Sequence, residues 1–214
     1  MTESRGERKR RANGEESRRR ILDAAAEVAG VRGYDGTSIA LVSEKCGLPA
    51  SSIYWHFKNK DDLIAAVIER SFDIWADALT LPGDDTDPAL DRVTELAGQV
   101  AKTLLDSPDF LRLGLMLTLE RRPEEPSARR MFLQVRDVAR ARLATVLATL
   151  APDADRDAID LVATYAIAGA DGLFIAKEIG GDSVDLRPLF DLHARALYDA
   201  LTRLTDGRPA TETP

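Results

Sequence analysis

Eight residues, Ala50 to Phe57, carry the chemistry least like that of an ordinary solvated helix. Ile53 and Phe57 are four apart and share one helical face, which leaves Ala50, Ser51, Tyr54 and Trp55 on the other, flanked by Ser52 and His56. That outer set offers hydroxyls, an indole, an imidazole and small methyl groups, and no carboxylate. A helix face turned to water normally carries Glu and Lys. An acid-free one suits contact with a polyanion. The stretch also lacks Arg and Lys, the usual bidentate partners of guanine, so sequence readout by it would run through thymine methyls, hydroxyls and duplex shape.

The flanking residues form the frame that would hold this helix. Thr37 is read as the N-cap of a preceding short helix, in which Ile39, Leu41 and Val42 stand beside the small Ser43 and Cys46. Gly47 ends it with a residue tolerant of left-handed backbone, and Pro49 fits the first turn of the helix bearing Tyr54. Asn59 caps the next helix, with Asp62 at its third position. Lys60 then stands at a helix start, where a cation is unfavourable, and a nearby phosphate is the expected reason. Upstream, Ile21, Leu22, Ala25, Val28 and Ala29 follow helical spacing from Arg18 to about Arg32.

In order and without a gap, RRRILDAA from Arg18, GYDGTS from Gly33, the Gly47 turn and IYWHFKNKDDL from Ile53 resemble the N-terminal domain of TetR-family transcriptional regulators. The resemblance implies a helix-turn-helix domain whose recognition helix, bearing Tyr54, enters the major groove. It places Ala50, Ser51, Tyr54 and Trp55 near base edges of double-stranded DNA, and Thr37, Ser38, Ser52, His56 and Lys60 on backbone phosphates. Two positions depart from the family pattern. Pro49 stands where a small hydroxyl residue is more frequent, removing one phosphate contact, and Cys46 replaces the usual Ala of the turn.

The net charge of −7 at first argues against a nucleic-acid partner, but it is unevenly spread. Residues 1 to 60 hold 12 Lys and Arg against 8 acids, and the remainder 17 against 28. A basic end on an acidic body helps to orient an approach to phosphates. One cysteine excludes an intrachain disulfide, and Cys46 reads as a small buried hydrophobe. With only His56 and His193, the chain is poor in acid–base and metal chemistry, so enzymatic activity, a metal site and a cofactor are not expected. Asp171, set among small residues, is the one body carboxylate that stands out. No apolar leader and no unbroken apolar run of about 18 residues are read, so no membrane partner and a cytoplasmic location are expected.

The chain reads as all-α, a three-helix reader on a six-helix body. Residues 1–16 form a disordered basic arm, 17–62 the helix-turn-helix domain, 63–207 a ligand-binding and dimerisation domain, and 208–214 a disordered tail. The Arg8–Arg11 cluster is either a minor-groove arm or a solvated tail. In the body, helices are expected from about Lys60 to Thr80, from an Asp87 cap and Pro88 to Asp106, from Ser107–Pro108 to before Pro123, and over about 126–150, 155–179 and 186–204.

Gly169 and Gly172 are mid-helix, where glycine costs about 1 kcal/mol relative to alanine, so close helix approach should repay them. By the resemblance, the last two helices form a homodimer interface through Gly169, Gly172, Leu173, Leu189, Leu192, His193, Ala196, Leu197 and Ala200. Phe110, Leu113, Met116, Leu117 and Phe132, with Trp75, Leu79 and Tyr165, fit either a core or a cavity. The resemblance favours a pocket for a small-molecule effector, which an apolar lining would make apolar. Gly114 makes room or a bend opposite these bulky groups. The implied function is a repressor that binds an inverted repeat as a homodimer and is released by that effector. The helix from Lys60 would be the link. A ligand-independent helical DNA-binding or interaction protein is the alternative.

Overall fold

The computed structural model describes residues 5–77, 82–83, 87–122 and 124–205, with side chains described for 11–76, 82–83, 87–122 and 124–204. Among these residues there are nine α-helices and no strand. They are α1 (Arg5–Gly36), α2 (Ile39–Cys46), α3 (Ala50–His56), α4 (Lys60–Asp77), α5 (Ala89–Asp106), α6 (Asp109–Leu119), α7 (Ser127–Leu150), α8 (Arg156–Gly180) and α9 (Leu186–Thr205).

Local chemistry sets most of these ends. α1 is broken at Gly33, whose φ of 67° and ψ of −177° suit a residue without a Cβ. Ser38, one residue later than expected, caps α2 by accepting from the Leu41 amide at 3.3 Å, and Gly47 closes it at φ 65°. Asn59 caps α4 by accepting from the Asp62 amide at 2.8 Å. Asp155 does the same for α8, accepting from the Ala158 amide at 2.7 Å. Pro88 rather than Asp87 holds the N-cap position of α5, without a side-chain cap. The end of the run expected to reach Thr80, including Leu79, lies outside the described residues.

The helices gather into two compact units, and the chain passes between them within α4 and within α7. One holds residues up to Asp73 together with Asp109–Val135; the other holds Ile74–Pro108 and the residues from Arg136 onward. The first unit is discontinuous in sequence because α6 packs on α1. A Cβ at Gly30 would sit 2.4 Å from the Asp109 carboxylate, so a larger residue there would push that side chain aside. Ile21, Leu22, Ala25, Val42, Ile53, Phe57, Leu63 and Val67 are buried together beneath α2 and α3. Each large side chain among them contributes roughly 1.5–3 kcal/mol. In the second unit, α5 and α8 both pack on α9. Leu147, Ile159, Val162, Ala166, Leu197 and Leu201 form its core.

The expected disordered arm is replaced, from Arg5 on, by helix continuous with α1.

Candidate nucleic-acid interface

α3 is pinned from below by Ile53 and Phe57, which are 0% and 3% exposed. Their burial turns the opposite face outward. Tyr54 and Trp55 are 56% and 76% exposed, Ser51 is exposed, and Ala50, Ser52 and His56 are half-buried. The acid-free surface read from the sequence is thus open to solvent within its own chain. The Arg18 guanidinium lies 5.4 Å from the Phe57 ring centre, and Arg20 donates to the Cys46 carbonyl at 2.7 Å, so α1 steadies both helices of the motif. Ser43 adds a hydrogen bond to the Leu48 carbonyl at 2.6 Å across the turn.

The backbone-contact residues expected from the sequence divide. Ser38 and Ser52 remain at least partly accessible. Thr37 is not accessible: it is 2% exposed and its hydroxyl donates to the Gly33 carbonyl at 2.7 Å, so its role is to hold the turn after α1. Lys60 is half-buried and has a partner within the chain. Its ammonium donates to the Tyr34 carbonyl at 3.0 Å and sits 4.3 Å from the Tyr34 ring centre. That carbonyl and ring give a cation at a helix start acceptors within the chain. Burial, and then the charge of Arg18, hold the His56 imidazole below its ordinary pKa. At neutral pH it is an uncharged hydrogen-bonding group.

Around Tyr34 the structure assembles a junction that spacing alone did not reveal. The Tyr34 hydroxyl donates to Asp61 at 3.2 Å, and the same carboxylate accepts from the Ser127 and Ala128 amides at 2.6 and 3.0 Å. Asp61 therefore lies in the first turn of α4 and caps the N-terminus of α7, near the positive ends of two helix dipoles. Arg122 lies 4.8 Å from the Tyr34 ring centre and makes paired hydrogen bonds to Asp35 at 2.9 and 2.8 Å. Burial and the Asp61 charge push the Tyr34 phenol up to about 12. The only sequence signal for this junction was an acid in a helix's first turn, which names no distant partner.

The residues expected to line a pocket do not all face inward. Phe110, Leu113, Leu117 and Phe132 are buried in the first unit, with the Phe110 and Phe132 rings 5.7 Å apart. A Cβ on Gly114 would lie 2.0 Å from the Phe132 ring, so this glycine makes room for an aromatic. Met116 is a correction: it is 49% exposed, since it lies about 120° around α6 from Phe110. Tyr165 is another, 56% exposed on the second unit, where Trp75 is half-buried. Leu79 lies outside the described residues.

The expected interface residues also separate. Gly169, His193 and Leu197 are engaged within the chain. A Cβ on Gly169 would meet the His193 ring at 2.2 Å, His193 Nε2 donates to the Ala166 carbonyl at 3.0 Å, and Leu197 is core. Gly172, Leu192 and Ala196 are exposed, and Leu173, Leu189 and Ala200 are half-buried. Beside them Leu161, Tyr165, Ala168, Gly172, Ile175 and Ile179 recur at helical spacing as one exposed stripe of α8. With the turn after it, α8 passes for a membrane-spanning helix by length and composition alone, as the core helix of a soluble protein also can. Val162, Ala163, Ala166 and Phe174 on the same helix are buried in the protein. Asp171 pairs with Arg136, while its Oδ1 is buried without a hydrogen-bond partner. Burial raises its pKa, and Arg136 offsets part of that rise.

Residues 21–67 match the family described as "Bacterial regulatory proteins, tetR family". An HTH-type transcriptional repressor of Mycobacterium tuberculosis is 28% identical over 162 residues, covering 76% of this chain and 58% of its own length. The chain thus spans under two thirds of that relative. The regulator AcrR of Shigella flexneri is 36% identical over 64 residues, 30% of each chain. Among solved structures, the fatty acid degradation regulator FadR of Bacillus halodurans superposes with a TM-score of 0.70 at 16% identity, covering 84% of this chain and 93% of that one. Residues 21–67 thus carry the tetR-family reader domain, within a chain whose all-helical fold is shared with solved transcriptional regulators.

Proposed function

We propose that the chain is a transcriptional repressor that binds an inverted-repeat DNA operator as a homodimer and is released by a small apolar effector. The observation carrying this reading is the outer face of α3, where Ser51, Tyr54 and Trp55 are exposed and no acid stands among them. Ala50 and Ser51 are assigned to base edges with Tyr54 and Trp55; Ser38 and Ser52 are assigned to phosphates, with neutral His56 as a further donor. The exposed stripe on α8, with Leu192 and Ala196 of α9, supports self-association. A dimer would set two recognition helices about 34–36 Å apart, one duplex turn. An effector that fits better when that spacing is wrong lowers operator affinity by its preference between the two states. The relative named as a repressor supports repression over activation.

The test is fluorescence anisotropy with duplex from upstream of the chain's own gene, beside an unrelated duplex, with sedimentation at micromolar concentration. A dimer should prefer its operator, and Tyr54→Ala should lose about 1–3 kcal/mol of that preference. Tyr165→Glu with Ile175→Glu should yield a monomer with weakened binding. Equal wild-type affinity for both duplexes would refute the reading.

A further inference from the structure

Three cations stand between Thr37 and Asp62, and the folded chain treats them differently. Lys45, on α2, pairs with Glu27 of α1. The Lys60 ammonium donates to the Tyr34 carbonyl at 3.0 Å and lies over the Tyr34 ring. Lys58 is exposed, and its ammonium has neither a hydrogen bond nor an ion pair among the described residues. The backbone beneath it is held nonetheless. Phe57, just before it, is 3% exposed and leaves α3 in extended conformation at φ −136° and ψ 133°. The Lys58 amide donates to the Asp62 carboxylate at 3.1 Å, and Asn59, just after it, accepts from the Asp62 amide at 2.8 Å. These reciprocal bonds close the turn between α3 and α4 in the manner of a capping box.

The neighbouring acids are engaged as well. Asp62 serves the Lys58 amide, and Asp61 accepts from Ser127, Ala128 and Tyr34. A cation without a partner on a fixed backbone gives up only side-chain freedom when an anion arrives. Its place along the reader says which anion. From Ala50 to His56 six helical steps of about 1.5 Å cover about 9 Å, and two extended residues add up to about 7 Å. Lys58 thus stands as much as about 16 Å from Ala50, beyond the roughly 12 Å width of a major groove. With Ala50, Ser51 and Tyr54 at base edges, Lys58 reaches the groove wall, where the phosphates lie. A compact ammonium on a flexible stem suits a phosphate oxygen there.

We infer that Lys58 is a DNA-backbone contact, a phosphate ligand on the rigid turn after the recognition helix, and that it supplies the cation there while Lys60 stays on Tyr34. The inference rests on the DNA-binding function proposed above and adds a residue which that reading leaves unassigned. One phosphate neutralised contributes about 0.9 to the slope of log affinity against log salt. Over a fourfold rise in salt that amounts to about a 3.5-fold change in affinity for each chain bound.

The experiment is anisotropy at several salt concentrations on the operator duplex and on an unrelated one, joined by operator duplexes that each replace one phosphate with a neutral methylphosphonate. Lys58→Ala should lower the slope by about 0.9 for each chain bound and weaken both duplexes equally, and Lys58→Arg should keep the wild-type slope. At least one methylphosphonate should weaken wild-type binding and leave Lys58→Ala unaffected, which locates the contact. Because the scan compares duplexes against one protein at a time, it reads the contact whatever the stability of the variant. Operator binding with an unaltered slope in Lys58→Ala would overturn the assignment alone. So would a scan in which every substitution that weakens wild type weakens Lys58→Ala as much, the behaviour of diffuse attraction without a contact. Absence of any wild-type duplex binding would overturn the DNA reading and the contact together.

Discussion

Asp61 joins α4, α7 and Tyr34 through one carboxylate, and removing it has a calculable consequence. Asp61→Ala strands the Ser127 and Ala128 amides and the Tyr34 hydroxyl, now held at 2.6, 3.0 and 3.2 Å. A lost helix cap costs typically about 1 kcal/mol, within roughly 0.5–2. An unmet buried donor costs about 1–3 kcal/mol, but the site is only half-buried and water replaces part of what is lost. The combined loss should be about 2 kcal/mol. Asp61→Asn keeps an acceptor and loses the charge, so about 1 kcal/mol is expected. pH separates the two contributions. Burial raises the Asp61 pKa, but hydrogen bonds from Ala128, Ser127 and Tyr34 outweigh it and leave the group below its ordinary value. A carboxylate depressed in the folded state stabilises above its unfolded pKa of about 3.9, and that contribution disappears as pH falls through the folded value. The gap between wild type and Asp61→Asn should be full at pH 7, shrink below about pH 5, and close once both states are protonated. Urea unfolding followed by far-ultraviolet circular dichroism at pH 7, 5 and 3 measures it. A loss under about 0.3 kcal/mol for Asp61→Ala at pH 7, or a gap for Asp61→Asn that ignores pH, would refute the capping argument.

Lys60→Ala should leave the salt slope of operator binding within about 0.3 of wild type, because its ammonium serves the Tyr34 carbonyl and ring, while unfolding stability falls by about 1 kcal/mol. A slope reduced by about 0.9 would restore Lys60 as a phosphate ligand. Gly114→Ala should destabilise by about 1–3 kcal/mol, since its Cβ would overlap the Phe132 ring. Adding Phe132→Leu should recover part of that loss in thermal unfolding, and no recovery would mean the two positions are not coupled.

What could be read along the chain was what local chemistry decides. Gly47 announced the turn, Asn59 and Asp155 announced helix starts, and the Ile53–Phe57 spacing announced which side of α3 is buried and therefore which side is open. These signals act over three or four residues, so they survive without knowledge of the rest of the fold. Gly114 was legible in the same way as a space opposite bulky side chains, although not which ring would fill it.

Partner choice belonged to the tertiary structure. Lys60 finds an acceptor in the carbonyl of Tyr34, 26 residues earlier, which no local spacing names. Asp61 meets Ser127 and Ala128 at separations of 66 and 67 residues, and Gly169 owes its missing Cβ to His193 in α9. Helical periodicity tells which face of a segment avoids water, and it is silent about what that face meets. Nor does composition reveal that a charged, Gly-containing leader continues α1 alongside Trp55, since polar content alone predicts disorder. The acid-free face of α3 was decided by its own residues. What steadies it from behind, Arg18 over the Phe57 ring and Arg20 on the Cys46 carbonyl, was decided only by the folded chain.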